Sequence, residues 1–84
     1  MELKDTINLM LSDDWKDRLK AEYWQTVIRE RNLHAYNIKL EAFPELQDNL
    51  DSPAWYLARQ EELMTEYLHF LELRAVRSDI DLTK

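Results

Sequence analysis

The chain has 84 residues, with no cysteine, no glycine, two prolines and a formal net charge of −6 at pH 7. This length allows one domain, over residues 1–84, and the missing cysteines exclude disulfides and thiolate metal sites. Without glycine there is no Gly-rich phosphate loop and sheet turns are disfavoured, so the composition predicts helices joined by few loops. The negative charge disfavours binding to DNA or RNA polymers and to anionic membranes.

Two helices are predicted in the first half of the chain. Apolar residues at helical spacing predict a short N-terminal helix over about residues 2–11. Ser12 is a favoured N-cap residue, and the two aspartates after it suit the positive end of a helix dipole. A long helix over about residues 13–41 is therefore predicted to follow.

Two prolines separate that helix from the last one. Pro44 ends the long helix, and residues 47–51 are predicted to be a polar connector. Ser52 and Pro53 are typical N-cap and first-turn residues, and they predict a helix over about 53–77 with a frayed tail over 78–84. The predicted fold is all-α, with a short N-terminal helix and two long antiparallel helices in a helical hairpin.

The middle predicted helix carries apolar residues on two opposite faces, of which one hairpin partner can cover only one. A chain this short also rarely obtains more than about 3–5 kcal/mol from its own core. We therefore expect the chain to oligomerise into a larger helical assembly. The residues expected at the interface are Trp15, Leu19, Trp24, Ile28, Leu33, Tyr36, Met64 and Tyr67.

Few residues are suited to catalysis or metal binding. The two histidines, His34 and His69, stand without a recognised ligand spacing, so no metal site is predicted. The serines are explained as caps or tail, and the carboxylates are typical of a solvated helix face. We therefore expect a binding protein rather than an enzyme, with no cofactor.

Cations and aromatic side chains are mixed along the middle helix, from Lys16 to Arg31. Such a mixture suits the phosphates and bases of a small nucleotide, but it also occurs where long cationic side chains border a core. Arg74 has two interpretations as well. Together with Gln60 it lies beside the apolar stripe of the last helix, where it would either fix the register of a helical interface or meet an anionic ligand.

Two spacing patterns resemble those of a family of very small helical phage proteins related to a protein first noted in a crAss-like phage. The first pattern, E-x-x-x-L-x-x-R/K-x-x-x-L-x-x-aromatic, is matched by Glu22, Arg29, Leu33 and Tyr36, with Thr26 at the first apolar position. The second pattern, Q-x-x-x-M-x-x-Y-x-x-x-L-x-x-R, is matched by Gln60, Met64, Tyr67, Leu71 and Arg74. The resemblance covers residues 14–77.

The best-understood proteins similar to this family are anti-CBASS sponges, which form hexamers and sequester the cyclic oligonucleotide signals of bacterial immunity. The resemblance implies a phage counter-defence protein of the infected host's cytoplasm that binds cyclic di- or trinucleotides between protomers without cleaving them. It also implies an aromatic ring that stacks on a base and cations that meet phosphates. The candidates for these roles are Tyr23, Lys39, Arg29 and Arg74.

Two other functions fit the same sequence. The charge of −6 and the acids of the last helix suit an anti-CRISPR-type inhibitor that occupies a basic protein surface. A helical interaction or adaptor protein with a peptide partner is a further alternative. In each case we expect a cytoplasmic protein, because no apolar run has the length of a membrane span and the N-terminus lacks the form of a signal peptide.

Overall fold

A computed structural model describes residues 1–83, and throughout this range the regular structure is helical. A 3₁₀ helix, Leu3–Thr6, runs into a single α-helical turn, α1, at Ile7–Met10. The two long helices are α2, Trp15–Ala42, and α3, Ala54–Arg77, joined through a second 3₁₀ helix at Pro44–Asn49. The predicted all-α class is confirmed, and the two long helices pack as a hairpin.

The start of α2 is set by a carboxylate rather than by the predicted serine. Asp14 is the N-cap, and its Oδ1 accepts a hydrogen bond from the Lys16 backbone N–H at 2.9 Å. Ser12 stands two residues earlier, where its hydroxyl accepts from the Asp14 N–H and donates to Asp17 Oδ2. The prediction of Ser12 as the cap is therefore wrong, because Asp14 is the residue with extended backbone next to the first helical turn.

The connector and the start of α3 are also shifted slightly from the prediction. Residues 44–49 form a 3₁₀ helix, and the Gln47 side chain ties it to α2 by donating to the Leu40 carbonyl at 3.3 Å. Pro53 is the N-cap of α3, so Ala54 is the first helical residue. The fixed φ of proline suits this position, and the missing proline N–H is one that no helical carbonyl would have accepted.

The core lies at the end of the hairpin where α2 begins and α3 ends. Leu19, Leu71 and Ala75 are buried there, each at most 4% exposed. The partly buried side chains packed around them are Tyr23, Leu68, Ile80 and Leu82. The core is therefore small, as expected for a chain of this length, and two of its members lie beyond the last helix.

The segment after α3 folds back instead of fraying. Asp79 has a left-handed φ of 56°, the Asp79 N–H donates to the Val76 carbonyl, and the Ile80 N–H donates to the Ala75 carbonyl at 2.8 Å. These two bonds form a Schellman motif, which turns the chain back toward the hairpin. Trp24 Nε1 then donates to the Leu82 carbonyl at 2.8 Å. The predicted frayed tail is wrong for residues 78–83, while Lys84 lies outside the described residues.

The N-terminal segment covers part of the second apolar face of α2. Thr6 is 1% exposed, and its hydroxyl donates to the Leu3 carbonyl and accepts from Gln25 Nε2 at 2.9 Å. Ala21, one turn before Gln25, is also 1% exposed. The chain thus covers this face itself around Ala21 and Trp24, which weakens the argument that a second chain must do so.

Candidate functional site

The hairpin has two long sides. Each side is marked by one hydrogen bond between a tyrosine and a glutamate. On the first side the Tyr67 hydroxyl donates to Glu22, and we call it the Tyr67 side. On the second, the Tyr23 side, the Tyr23 hydroxyl donates to Glu72 Oε1 at 3.4 Å. At about 100° per residue these pairs fix the orientation of both helices. By this geometry the Tyr67 side carries the pattern residues Glu22, Arg29, Leu33, Tyr36, Gln60, Tyr67 and Arg74.

A groove of about 480 Å³ lies at the end of the hairpin where α2 begins. Because the helices are antiparallel, the first residue of α2, Trp15, meets the last turn of α3. The groove is lined by Trp15, Leu73, Arg74, Arg77 and Ser78. Its volume is within the range of small-molecule sites. It therefore combines one indole ring with two guanidinium groups.

The two arginines of the groove are free to meet an anion. Neither Arg74 nor Arg77 forms an ion pair with a residue in the range 1–83. Trp15 is 45% exposed, so part of its ring is available for stacking. A guanidinium group can donate two parallel hydrogen bonds to a phosphate, and an indole face can stack on a base or hold a cation. The groove is thus chemically suited to a small nucleotide.

The four predicted ligand-binding residues do not meet in one chain. Arg74 lines the groove, whereas Lys39 is exposed near the far end of α2 and Arg29 is exposed midway along it. At 1.5 Å per residue, Lys39 is about 36 Å from Trp15 along the helix axis. A single small ligand cannot contact both Lys39 and Arg74 of one protomer.

Tyr23, the predicted stacking residue, is used in packing. It is half-buried against the core, and its ring makes an edge-to-face contact with Trp24 at a centroid distance of 5.5 Å. Burial and the neighbouring Glu72 carboxylate raise the pKa of the Tyr23 hydroxyl above its usual value. The aromatic side chain that the structure offers to a ligand at the groove is Trp15, which the sequence suggested only as an interface residue.

The two tyrosines that bond across the hairpin, Tyr23 and Tyr67, should make the fold less stable in alkaline solution. The hydrogen bond to Glu22 raises the pKa of Tyr67 above the ordinary tyrosine value of 10.0. Burial and the Glu72 carboxylate raise the pKa of Tyr23 above the same value. The protonated hydroxyls therefore stabilise the fold fully below about pH 10, and this contribution is lost as the pH rises through their folded-state pKa values. Urea unfolding between about pH 8 and pH 11 should show the loss.

The matched control for this prediction is the double variant Tyr23→Phe, Tyr67→Phe. It lacks both hydroxyls, so its stability should fall less over the same pH range. An equal decline in the variant and the original protein would show that other groups cause the alkaline loss.

The predicted interface residues fall into three environments. Leu19 is 4% exposed within the core of its own chain, so we remove it from the interface. Trp24, Ile28, Leu33 and Met64 are half-buried, and Trp24 is occupied by its bond to Leu82. Trp15, Tyr36 and Tyr67 are exposed. These three exposed interface candidates all lie on the Tyr67 side.

An exposed apolar stripe on α3 escaped the sequence prediction. Tyr56, Leu63 and Phe70 stand seven residues apart, and Trp55 and Leu73 lie next to them on the surface. Each of the five is between 48% and 66% exposed. The heptad spacing was the available signal, but the charged residues between these positions masked it. We call these five residues the outer stripe.

One cluster on the Tyr23 side has donors that could hold a metal ion. Glu30, His34 and Glu61 each offer one ligand atom, all within 4.8 Å of one another. Their arrangement has an explanation in hydrogen bonding, since His34 Nδ1 lies 2.6 Å from Glu61 Oε2 and Asn37 donates to Glu61 Oε1. The bond from Asn37 is the main reason why the pKa of Glu61 lies below its usual value.

No helix within residues 1–83 is both long enough and apolar enough to cross a membrane. Comparison with known proteins gave no match to a curated protein or to a solved structure. The family model described as Sequestin matches residues 13–77, which is well over half of the chain. That range holds both long helices and the arginines of the groove. The chain therefore belongs to the Sequestin family, a name that suggests a sequestering protein.

Proposed function

We propose that this protein sequesters a cyclic di- or trinucleotide signal of bacterial immunity and holds it without cleaving it. In this proposal it acts for a phage, in the cytoplasm of the infected cell, and self-associates. Membership of a family named for sequestration supports the binding role. The observation that carries the proposal is the groove in which Trp15 lies beside Arg74 and Arg77.

The chemistry of the groove supports a nucleotide over other small ligands. The phosphates of a cyclic nucleotide would be held by the two guanidinium groups, and a base would stack on the exposed part of Trp15. The chain as a whole has a charge of −6, so these cations attract a small anion locally without favouring a nucleic-acid polymer. No nucleophile or base is needed, because retention alone lowers the free signal.

The alternative of an acidic inhibitor has less support. Two acids of α3 that would face a basic partner are engaged within the chain, since Glu61 accepts from Asn37 and Glu72 accepts from Tyr23. The positions of these two acids are thus explained by contacts within the chain.

Thermal unfolding with a panel of cyclic di- and trinucleotides, and with linear dinucleotides as controls, tests the proposal. A ligand present at 100 times its dissociation constant should stabilise the native state by about 2.7 kcal/mol, which raises the Tm of so small a domain by roughly 10–20 °C. The bound nucleotide, released by heating and identified by mass, should be chemically unchanged. No shift with any member of the panel would refute the nucleotide proposal, and a cleaved product would refute sequestration without turnover.

A further inference from the structure

The outer stripe has no partner within residues 1–83, although it is the largest run of exposed apolar side chains on α3. Trp55 is 66% exposed and Phe70 is 61% exposed. We propose that the outer stripe is a homodimer interface, in which α3 packs antiparallel against α3 of a second copy, with the twofold axis beside Leu63. This assigns a surface to the self-association proposed above.

The area of the outer stripe suits such a dimer. With about half of each of five large side chains exposed, the stripe offers roughly 500 Å² of apolar surface. A standard interface buries about 800 Å² per partner and is a little more than half apolar, so it needs a similar apolar area. The heptad spacing of Tyr56, Leu63 and Phe70 also gives a continuous seam of the kind that pairs two helices.

Charge and shape both favour a second copy of this chain as the occupant. An antiparallel arrangement centred beside Leu63 places Tyr56 and Trp55 against the partner's Phe70 and Leu73. It also places Arg59, whose Nη1 lies 2.9 Å from Glu62 Oε2 of its own chain, near the partner's Glu66, and by symmetry the contact occurs twice. The stripe is thus complementary to itself, with an apolar centre and two pairs of opposite charges. A parallel arrangement would instead bring Arg59 against Arg59 and Glu66 against Glu66, which disfavours it.

The outer stripe and the groove at the end of the hairpin share one residue, since Leu73 belongs to the stripe and also lines the groove. Arg74 and Arg77 lie beyond the seam toward the C-terminal end of α3, and Trp15 belongs to α2. The groove's charged and aromatic side chains are thus outside the stripe, and Leu63, beside the proposed twofold axis, is not among the residues that line the groove.

Sedimentation equilibrium at micromolar concentration tests the interface. Leu63→Asp should raise the dimer dissociation constant by more than about 30-fold, as expected for a central interface residue. Val76→Asp is the matched control, because Val76 is 81% exposed on α3 but lies outside the stripe, and it should dimerise like the original protein. Far-UV circular dichroism checks that both variants remain helical.

The register is tested separately by exchanging charges. Arg59→Glu alone and Glu66→Arg alone should each weaken the dimer about tenfold, and the combination should restore it. A monomeric original protein would overturn both self-association and this interface. A dimer that Leu63→Asp leaves intact would overturn the interface alone, and failure of the double exchange to restore binding would overturn the antiparallel register. Nucleotide binding is measured separately, as the thermal shift with the cyclic nucleotides, so loss of the dimer and loss of binding can be told apart.

Discussion

Replacing Leu71 by alanine should leave most of the chain unfolded near body temperature. Leu71 is 1% exposed and packs with Leu19 and Ala75 at the centre of the small core. Removing a buried leucine side chain costs about 2–5 kcal/mol, and a chain of this length rarely has more than about 3–5 kcal/mol of core stability. Urea unfolding monitored by circular dichroism at 25 °C, together with the Tm, measures the loss.

The control for this prediction is the same substitution at an exposed leucine. Leu11 is 74% exposed at the end of α1, so Leu11→Ala should change the free energy of unfolding by less than about 0.5 kcal/mol. If Leu71→Ala were as stable as Leu11→Ala, the core would lie elsewhere than at this end of the hairpin.

Reversing the charge of Arg74 should weaken nucleotide binding strongly. For the cyclic nucleotide that gives the largest thermal shift, Arg74→Glu is expected to raise the dissociation constant by about 10- to 100-fold, because a charged hydrogen bond is lost and a repulsive carboxylate replaces it. Isothermal titration calorimetry measures the affinity. Trp15→Ala should produce a smaller loss of about tenfold, since it removes a stacking contact without adding repulsion.

Lys39→Glu is the matched charge reversal for Arg74→Glu. It makes the same change in net charge near the opposite end of α2, about 36 Å from Trp15 along the helix axis. We expect it to change the affinity less than about threefold. If Lys39→Glu weakened binding as much as Arg74→Glu, the groove would not be the site, or the two residues would act together across protomers.

The helices could be predicted well from the sequence because local signals define them. The absence of glycine, the proline positions and the apolar periodicity placed both long helices within two residues of their observed ends. The errors at Ser12 and Ser52 are choices between neighbouring cap residues. Competing caps differ by only about 1 kcal/mol or less, so the sequence alone does not rank them.

Contacts between distant residues were not predictable in the same way. Ile80 and Leu82 stand in a short polar segment without helical spacing, and only the turn at Asp79 brings them onto the core. On α3, Arg59 and Glu66 interrupt the apolar residues, so its outward-facing side looked like an ordinary solvated surface.

The candidate site was predicted in part. Arg74 was identified as a cation beside an apolar stripe, and it does line the groove. Trp15 as its neighbour depends on how the ends of the two helices meet, which spacing within one helix does not reveal. Tyr23 had the right chemistry for stacking, but the inter-helix contact to Glu72 and the core uses it for packing.

The arrangement of the core also determines when this protein can fold during its synthesis. Leu19 packs against side chains of residues 68–82, and Trp24 is bonded to the carbonyl of Leu82. These contacts join the early part of the chain to its last described residues, so α2 must leave the ribosome before any partner for Leu19 exists. Folding of this core is therefore expected only after residues 68–82 have emerged. A product that ends before α3 would expose the apolar side of α2 and be open to proteolysis.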